Sequence, residues 1–461
     1  MRLISCRLKQ SGLGCMLKDV MEDAMMCLYN ENPESILVLS QTSFNDMMDN
    51  VSYSKLEDVQ KQVLSDKGGA YSSSEKSTMI ESFHNARTNQ GVMSNGILVG
   101  DQFLDSEMIS ECSELHVFVL DINVEKTWPH AAIRADEFEL VSLSERLWFP
   151  SVNGYGHRVV YERIESPRPL EDNVDVQYQS LLRRIIDKSR MVPRKNRTDT
   201  ETISIFGEQI RMDISETIPA LTTKRIPLKG CVEELLWFIR GDTNAYSMKT
   251  PIWKENSKRS ELDKRGLCHL EEGDCGANYS FQWRFNGQKY ISCNEQYDYY
   301  TQGDQLYNII NNIKEDPYSR RHFMSAWNPT DLDKTVLPPC HVSAQFYVDN
   351  DGGLSCHMYQ RSCDAFLGLP WNVLSYSILT HLIAKLTNYV PKELIISIGD
   401  AHIYQNHINQ VNELLMRGPL VGPRLMISDA VAKKPLHTLQ TDDFEFVGYF
   451  PHPSIHAKMA V

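Results

Sequence analysis

The chain has 461 residues, 42% of them hydrophobic, enough to bury sizeable cores in about two or three domains, which excludes a largely disordered chain. Lysine and arginine number 47 against 60 aspartates and glutamates. The resulting net charge of -13 argues against a general nucleic-acid binder, whose phosphate contacts need a basic surface, although a basic pocket for one small phosphate is still allowed.

In chain order, the start MRLISCRLKQ is mildly basic but is followed by no continuous apolar run, and no later stretch is apolar for long enough to span a bilayer. The 11 cysteines are scattered, odd in number and without a Cys-x-x-Cys pair or zinc spacing. Together these lead us to expect a soluble, cytoplasmic protein with free thiols, no metal, and neither a membrane nor a nucleic-acid partner. ESILVLSQTSF, SNGILVGDQFL and ELHVFVLDINV predict short strands separated by helix-compatible stretches, hence an α/β domain over residues 1–165. Residues 65–77, rich in serine and glycine, are expected to form a mobile loop. ESPRPLEDN carries two prolines and charge without apolar periodicity, so residues 166–173 are predicted to be a linker and 174–461 a second domain.

Beyond the linker, VQYQSLLRRIIDKS and CVEELLWFIRG have helical spacing, the second ended by Gly241. HVSAQFYVDNDGGLSCHMYQRSCD predicts a hairpin turning at residues 349–353. WNVLSYSILTHLIAKLTN is apolar on most sides and is predicted to be a buried helix beginning right after Pro370.

The chemistry concentrates where that hairpin starts, at LPPCH. Pro338 and Pro339 pin the backbone before a thiol, and counting back from the turn sets Cys340 opposite Arg361 and Ser362. A fixed guanidinium there is expected to lower the thiol pKa below its free value of about 8.5 and make sulfur a nucleophile. The plainer reading is a buried structural cysteine beside a surface arginine. In DPYSRRHFMSAW, Arg320 and Arg321 form either a solvated basic pair or forked donors for a phosphate.

EELLWFIRGDTN, SRRHFMSAWNP, LPPCH, YQRSCDAFLGLPWNVLSY, GDAHIYQNH and the final PHPSIHAKMAV, in this order across residues 174–461, resemble thymidylate synthase. The upstream region, rich in short strands and ending WFPSVNGYGHRVVYERI, is similar to dihydrofolate reductase, so the whole chain resembles the fused dihydrofolate reductase–thymidylate synthases. The implied fold is an N-terminal reductase-like α/β domain followed by a synthase-like α+β domain.

The resemblance implies reductive methylation of dUMP to dTMP, with Cys340 adding to C6 of the base and 5,10-methylenetetrahydrofolate as one-carbon donor. His341 would lie beside the nucleophile. Glu234 would order water and move protons, and Tyr279 would join the proton network; read alone, Glu234 looks like solvated helix surface. Arg197, Arg361, Gln360 and Ser362 would hold the nucleotide, with Arg320 and Arg321 reaching in from the partner of a homodimer. Asn372 would select uracil, His402 and Tyr404 would bind the ribose 3′-hydroxyl, and Trp253, Asn256, Leu337, Asp364, Trp371 and the terminal Val461 would contact the reduced folate. The tail would close over the complex; a frayed end is the bland alternative.

Some positions depart from the pattern. Asp199 and Glu201 replace two glycines after Arg197, where they are expected to resist the loop's conformation and repel phosphate. Trp371 stands where phenylalanine is usual, and GANY where GPVY is. Upstream, Asp101 in LVGDQF and the missing basic residue in LSQTSF weaken the expected NADPH site, and the catalytic acid could be Asp19 or Asp23. NADPH is therefore expected only if this domain works, and loss of hydride transfer is the reading favoured by these residues. Two alternatives stay open: a dUMP hydroxymethylase, and a non-catalytic regulatory paralogue.

Overall fold

The computed structural model describes residues 2–7, 36–39, 96–100, 114–120, 133–144, 147–149, 154–164, 173–198 and 200–459. Asp19, Asp23, Asp101, Asp199, Val461, the 65–77 loop and most of the linker lie outside the described residues. The chain divides into two compact units, Met1–Pro169 and Leu170–Val461.

In the first unit, β1 (Arg2–Arg7), β2 (Ile36–Leu39), β3 (Gly96–Gly100), β4 (Glu114–Leu120), β5 (Phe138–Leu143), β6 (Leu147–Phe149) and β7 (Gly154–Arg163) form one sheet. Its order is β2-β3-β1-β4-β7-β5, with β6 also on β7. The first four strands pair in parallel, and β7 runs antiparallel to β4, β5 and β6. Along β5, Phe138 and Leu140 are buried and alternate with half-exposed neighbours, whereas Val159, Val160 and Tyr161 on β7 are buried in succession, as in a strand covered on both faces.

The second unit is α+β. Its five-stranded sheet has the order β8-β12-β11-β10-β9, from β8 (Thr202–Asp213), β9 (Phe323–Ser325), β10 (His341–Val348), β11 (Gly353–Asp364) and β12 (Val390–Tyr404). Only β11 and β12 pair in parallel, and a parallel pair needs a crossover; the Gly368–Thr387 helix supplies it. That helix buries residues on nearly every side, as its composition predicted. It begins at Gly368, not after Pro370: the proline sits in the first turn, where a missing N–H is harmless. A small hairpin, β13 (Arg424–Ile427) with β14 (Phe444–Val447), packs beside it.

The other predicted elements form for identifiable reasons. The Val174–Ser189 helix starts where the Asn173 side chain accepts the N–H groups of Asp175 and Val176. The Leu228–Arg240 helix stops at Gly241, which has a φ of 72°, and a Cβ there would lie 2.3 Å from the Phe285 ring. Along β10, Ala344, Phe346 and Val348 are buried while Gln345 and Tyr347 face outward. A bulge between His341 and Ser343 breaks this rhythm and re-aims the start of the strand.

Candidate active site

Cys340 sits at that break. Its carbonyl accepts the Arg361 N–H at 2.9 Å, so the hairpin sets the two residues opposite each other. The prolines explain more than backbone stiffness. Their carbonyl oxygens, fixed in direction, accept the guanidinium of Arg361: Nε donates to Pro339 at 2.7 Å and Nη2 to Pro338 at 2.8 Å. The Pro-Pro step thus docks a cation beside the thiol.

The cation does not win outright. Burial pushes the Cys340 thiol up, and Arg361, a hydrogen bond from Tyr279 and the charge of Arg197 pull it back only in part. The expectation of a depressed thiol pKa therefore fails. The sulfur is half-buried, and the low dielectric that disfavours thiolate is the reason.

Tyr279 is buried at the start of the Tyr279–Phe285 helix, and its oxygen accepts the Cys340 N–H at 2.6 Å. Its ring stacks on His341, with centroids 4.0 Å apart. His341 Nδ1 meets the Tyr376 hydroxyl at 2.9 Å, and burial pushes its pKa down to about 3. A neutral His341 here wedges aromatic surface beside the thiol and carries no charge.

Glu234 lies on the Leu228–Arg240 helix and is 5% exposed, so its reading as solvated surface fails. Trp253 Nε1 donates to one carboxylate oxygen at 2.7 Å, and Trp371 Nε1 to the other at 2.6 Å. Burial raises its pKa to about 7, against the pull of both indoles. The preceding acid, Glu233, instead accepts from the N–H groups of Lys249 and Thr250 and fixes the loop that leads to Trp253.

On β11, Gln360 donates to the Asn372 side-chain oxygen at 3.0 Å and so orients that amide. Ser362 pairs with Asp400 on β12, and Asp364 with His402. His402 Nδ1 meets Asp400 at 2.9 Å, and Arg194 holds the other Asp400 oxygen at 2.9 Å. Tyr404 stands edge-on to His402, with centroids 5.3 Å apart. Arg197 is exposed, yet its charge reaches both Cys340 and Tyr404.

Other residues are less tied. Glu201 follows Arg197 without a left-handed φ, so replacing glycine there adds no backbone strain, contrary to expectation. Arg320 and Arg321 are exposed just before β9, and among the described residues their guanidinium groups have no partner. Leu337 packs on the core, Asn256 lies half-exposed in the turn after Trp253, and Asp364 caps the N–H groups of Phe366 and Leu367. The tail is tied down as far as Lys458, whose carbonyl lies 2.8 Å from His407 Nε2. Val461 lies outside the described residues.

Sequence reading missed the Trp371–Glu234 bond, the His341–Tyr376 bond and the Asp400–Arg194 brace. Asp400 had a local signal, since residues two apart on a strand share a face. That signal ties Asp400 only to His402; all three missed bonds join residues far apart in sequence.

The profile of the thymidylate synthase family matches residues 176–461. This chain belongs to the thymidylate synthase family. It is 45% identical over 308 residues to the bifunctional dihydrofolate reductase-thymidylate synthase of Zea mays, covering 66% of this chain and 56% of the maize protein. To the thymidylate synthase of Saccharomyces cerevisiae it is 44% identical over 299 residues, 62% of this chain and 96% of the yeast protein. The bifunctional protein of Paramecium tetraurelia is 39% identical over 374 residues, 79% of each chain. This chain thus spans about half the length of the plant relatives it matches.

Proposed function

We propose that this chain makes dTMP by reductive methylation of dUMP. Cys340 adds to C6 of uracil, and the enolate that results gains a carbon nucleophile at C5. The reduced folate supplies the methylene and the hydride that completes the methyl group. Glu234, with a pKa near 7, passes protons through ordered water at the base, and the C5 proton leaves before the Cys340–C6 bond breaks. Tyr279, bonded to the Cys340 backbone, holds that strand start and offers its own proton on the sulfur side.

Arg361, Arg197 and Ser362 take the nucleotide phosphate; Asn372, oriented by Gln360, reads uracil; His402 and Tyr404 take the ribose hydroxyl. Trp371 and Trp253, which meet at Glu234, and Asp364 suit a reduced pterin, whose ring takes aromatic walls and an acid. The observation that carries the reading is the convergence of a half-buried thiol, a docked guanidinium and a buried acid. The test is tritium release from [5-³H]dUMP with methylenetetrahydrofolate, with the product weighed by mass spectrometry. We expect release and dTMP from the wild type and neither from Cys340→Ser; release undiminished in that variant overturns the reading.

A homodimer supports the same chemistry. The outer face of the sheet leaves Tyr347 and Tyr359 exposed, and Arg320 and Arg321, unpaired among the described residues, stand near its edge, suited to a phosphate in a second copy. For the first unit we propose a reductase-like domain without hydride transfer. The Paramecium match covers more of this chain than the synthase domain does, which supports the kinship, and Asp101 argues against NADPH binding. NADPH oxidation with dihydrofolate at an enzyme-like turnover would refute that loss. Among the described residues no helix is long and apolar enough to cross a membrane. The free cysteines suit a reducing compartment, and on that ground we place the activity in the cytoplasm.

A further inference from the structure

Glu234 has both carboxylate oxygens taken by donor-only groups, and these come from different parts of the domain. Trp253 follows the loop that Glu233 fixes, whereas Trp371 belongs to the Gly368–Thr387 crossover helix, which also carries Asn372. An indole N–H can only donate, so a carboxylate between two of them is held by a bond at each oxygen. A ring without a donor at position 371 would leave Oε2 free to turn.

A second feature shows that the ring is seated deliberately. Gly230 lies on the same helix as Glu234, and a Cβ there would come 3.0 Å from Trp371 Cη2 and 3.4 Å from Thr250 Oγ1. The helix keeps a gap at that turn, and the indole occupies it.

We infer that Trp371 is a positioning residue for proton transfer: its N–H fixes the second oxygen of Glu234 and couples the acid to the helix that carries Asn372. This rests on the synthase reading, in which Glu234 moves protons. Removing the donor withdraws a bond made to the ionised form, so the acid holds its proton to higher pH. The titratable groups that sense Glu234 are Cys231 on its own helix and Tyr279 on the neighbouring one. Burial pushes both up, so both stay neutral while Glu234 titrates, and no lysine or arginine among the described residues contributes to its shift.

The test reads Glu234 directly, through the infrared band of its neutral carboxyl, identified by its disappearance in Glu234→Gln. In Trp371→Phe the midpoint of that band should rise by about one pH unit, the equivalent of one lost hydrogen bond to a charged group. The acidic limb of kcat/KM should move up by the same amount. Gly230→Ala, which presses on the ring without removing it, should give a smaller rise. If Trp371→Phe does not fold, Gly230→Ala decides. An unmoved midpoint overturns the inference, and so does a fall in kcat/KM without a shift, which would mark Trp371 as a ligand contact alone. A shifted band in a protein that releases no tritium would sustain the role of Trp371 at Glu234 and refute the synthase reading.

Discussion

Asp304 and Glu234 are both buried acids of the same domain, and they are held in opposite ways. Asp304 and its partner Arg284 are fully buried, with Arg284 Nε and Nη2 donating at 2.8 and 3.0 Å. Asp304 also accepts the N–H groups of Tyr300 and Tyr307, so it caps the Gln305–Glu315 helix as well. A buried cation neutralises it and its acceptor sites are filled. Glu234 has neutral donors only, and its pKa climbs to about 7. An acid with its own cation is a structural joint; an acid with neutral donors alone is left poised to exchange a proton near neutral pH.

If that contrast is right, Glu234→Gln should cut kcat by about 10²- to 10⁴-fold, the usual weight of a general acid–base group, while the fold is retained. Steady-state kinetics with a urea unfolding curve on the same sample checks both halves. Asp304→Ala should do the reverse. It strands the Arg284 guanidinium in the core and should lower stability by about 3–5 kcal/mol in urea unfolding, with the surviving folded fraction keeping its turnover. Lost activity per folded molecule in Asp304→Ala would break the comparison.

The two acids also mark the limit of what the sequence shows. The Cys340–Arg361 register followed from counting residues around a hairpin, because strand pairing is arithmetic once the turn is known. Gly241, Asn173 and the apolar crossover helix followed from local rules of capping and patterning. What the sequence hid was burial. Glu233 and Glu234 are adjacent and chemically alike, yet one faces a loop and the other the core, according to what packs on the helix from far along the chain. The Cys340 pKa was misjudged for the same reason: the neighbouring charge was legible, and the desolvation that outweighs it was not. The bond from Trp371 to Glu234 was hidden as well, because it spans 137 positions.

A smaller effect tests the electrostatics through stability. The folded protein holds a proton on Glu234 up to about pH 7, whereas the unfolded chain releases it near the ordinary 4.5. Across that window the folded state binds more protons, so this group makes stability fall as pH rises. His341 acts in the opposite sense, since burial keeps it neutral in the fold down to about pH 3 while the unfolded chain takes up a proton below its ordinary 6.5. The two slopes oppose each other between pH 4.5 and 6.5, so wild-type stability alone conceals both. Subtracting wild type from Glu234→Gln isolates one: the difference should grow by about 3 kcal/mol in favour of the variant from pH 4.5 to pH 7.5. A difference flat with pH would mean that Glu234 titrates in the fold as it does in the unfolded chain.

The smallest effect concerns a pair that looks, by distance, like Asp304–Arg284. Arg424 Nη2 lies 2.9 Å from Glu216, against 2.8 Å for the buried pair. The Glu216 side chain, however, is 77% exposed. Water already solvates that carboxylate, and holding two long side chains in one geometry takes entropy, so the net attraction is small. Glu216→Ala should change stability by less than about 1 kcal/mol, and added salt should shrink even that. A loss as large as that of Asp304→Ala would show that contact distance, and not burial, ranks the acids of this domain, and the distinction drawn between Asp304 and Glu234 would lose its physical basis.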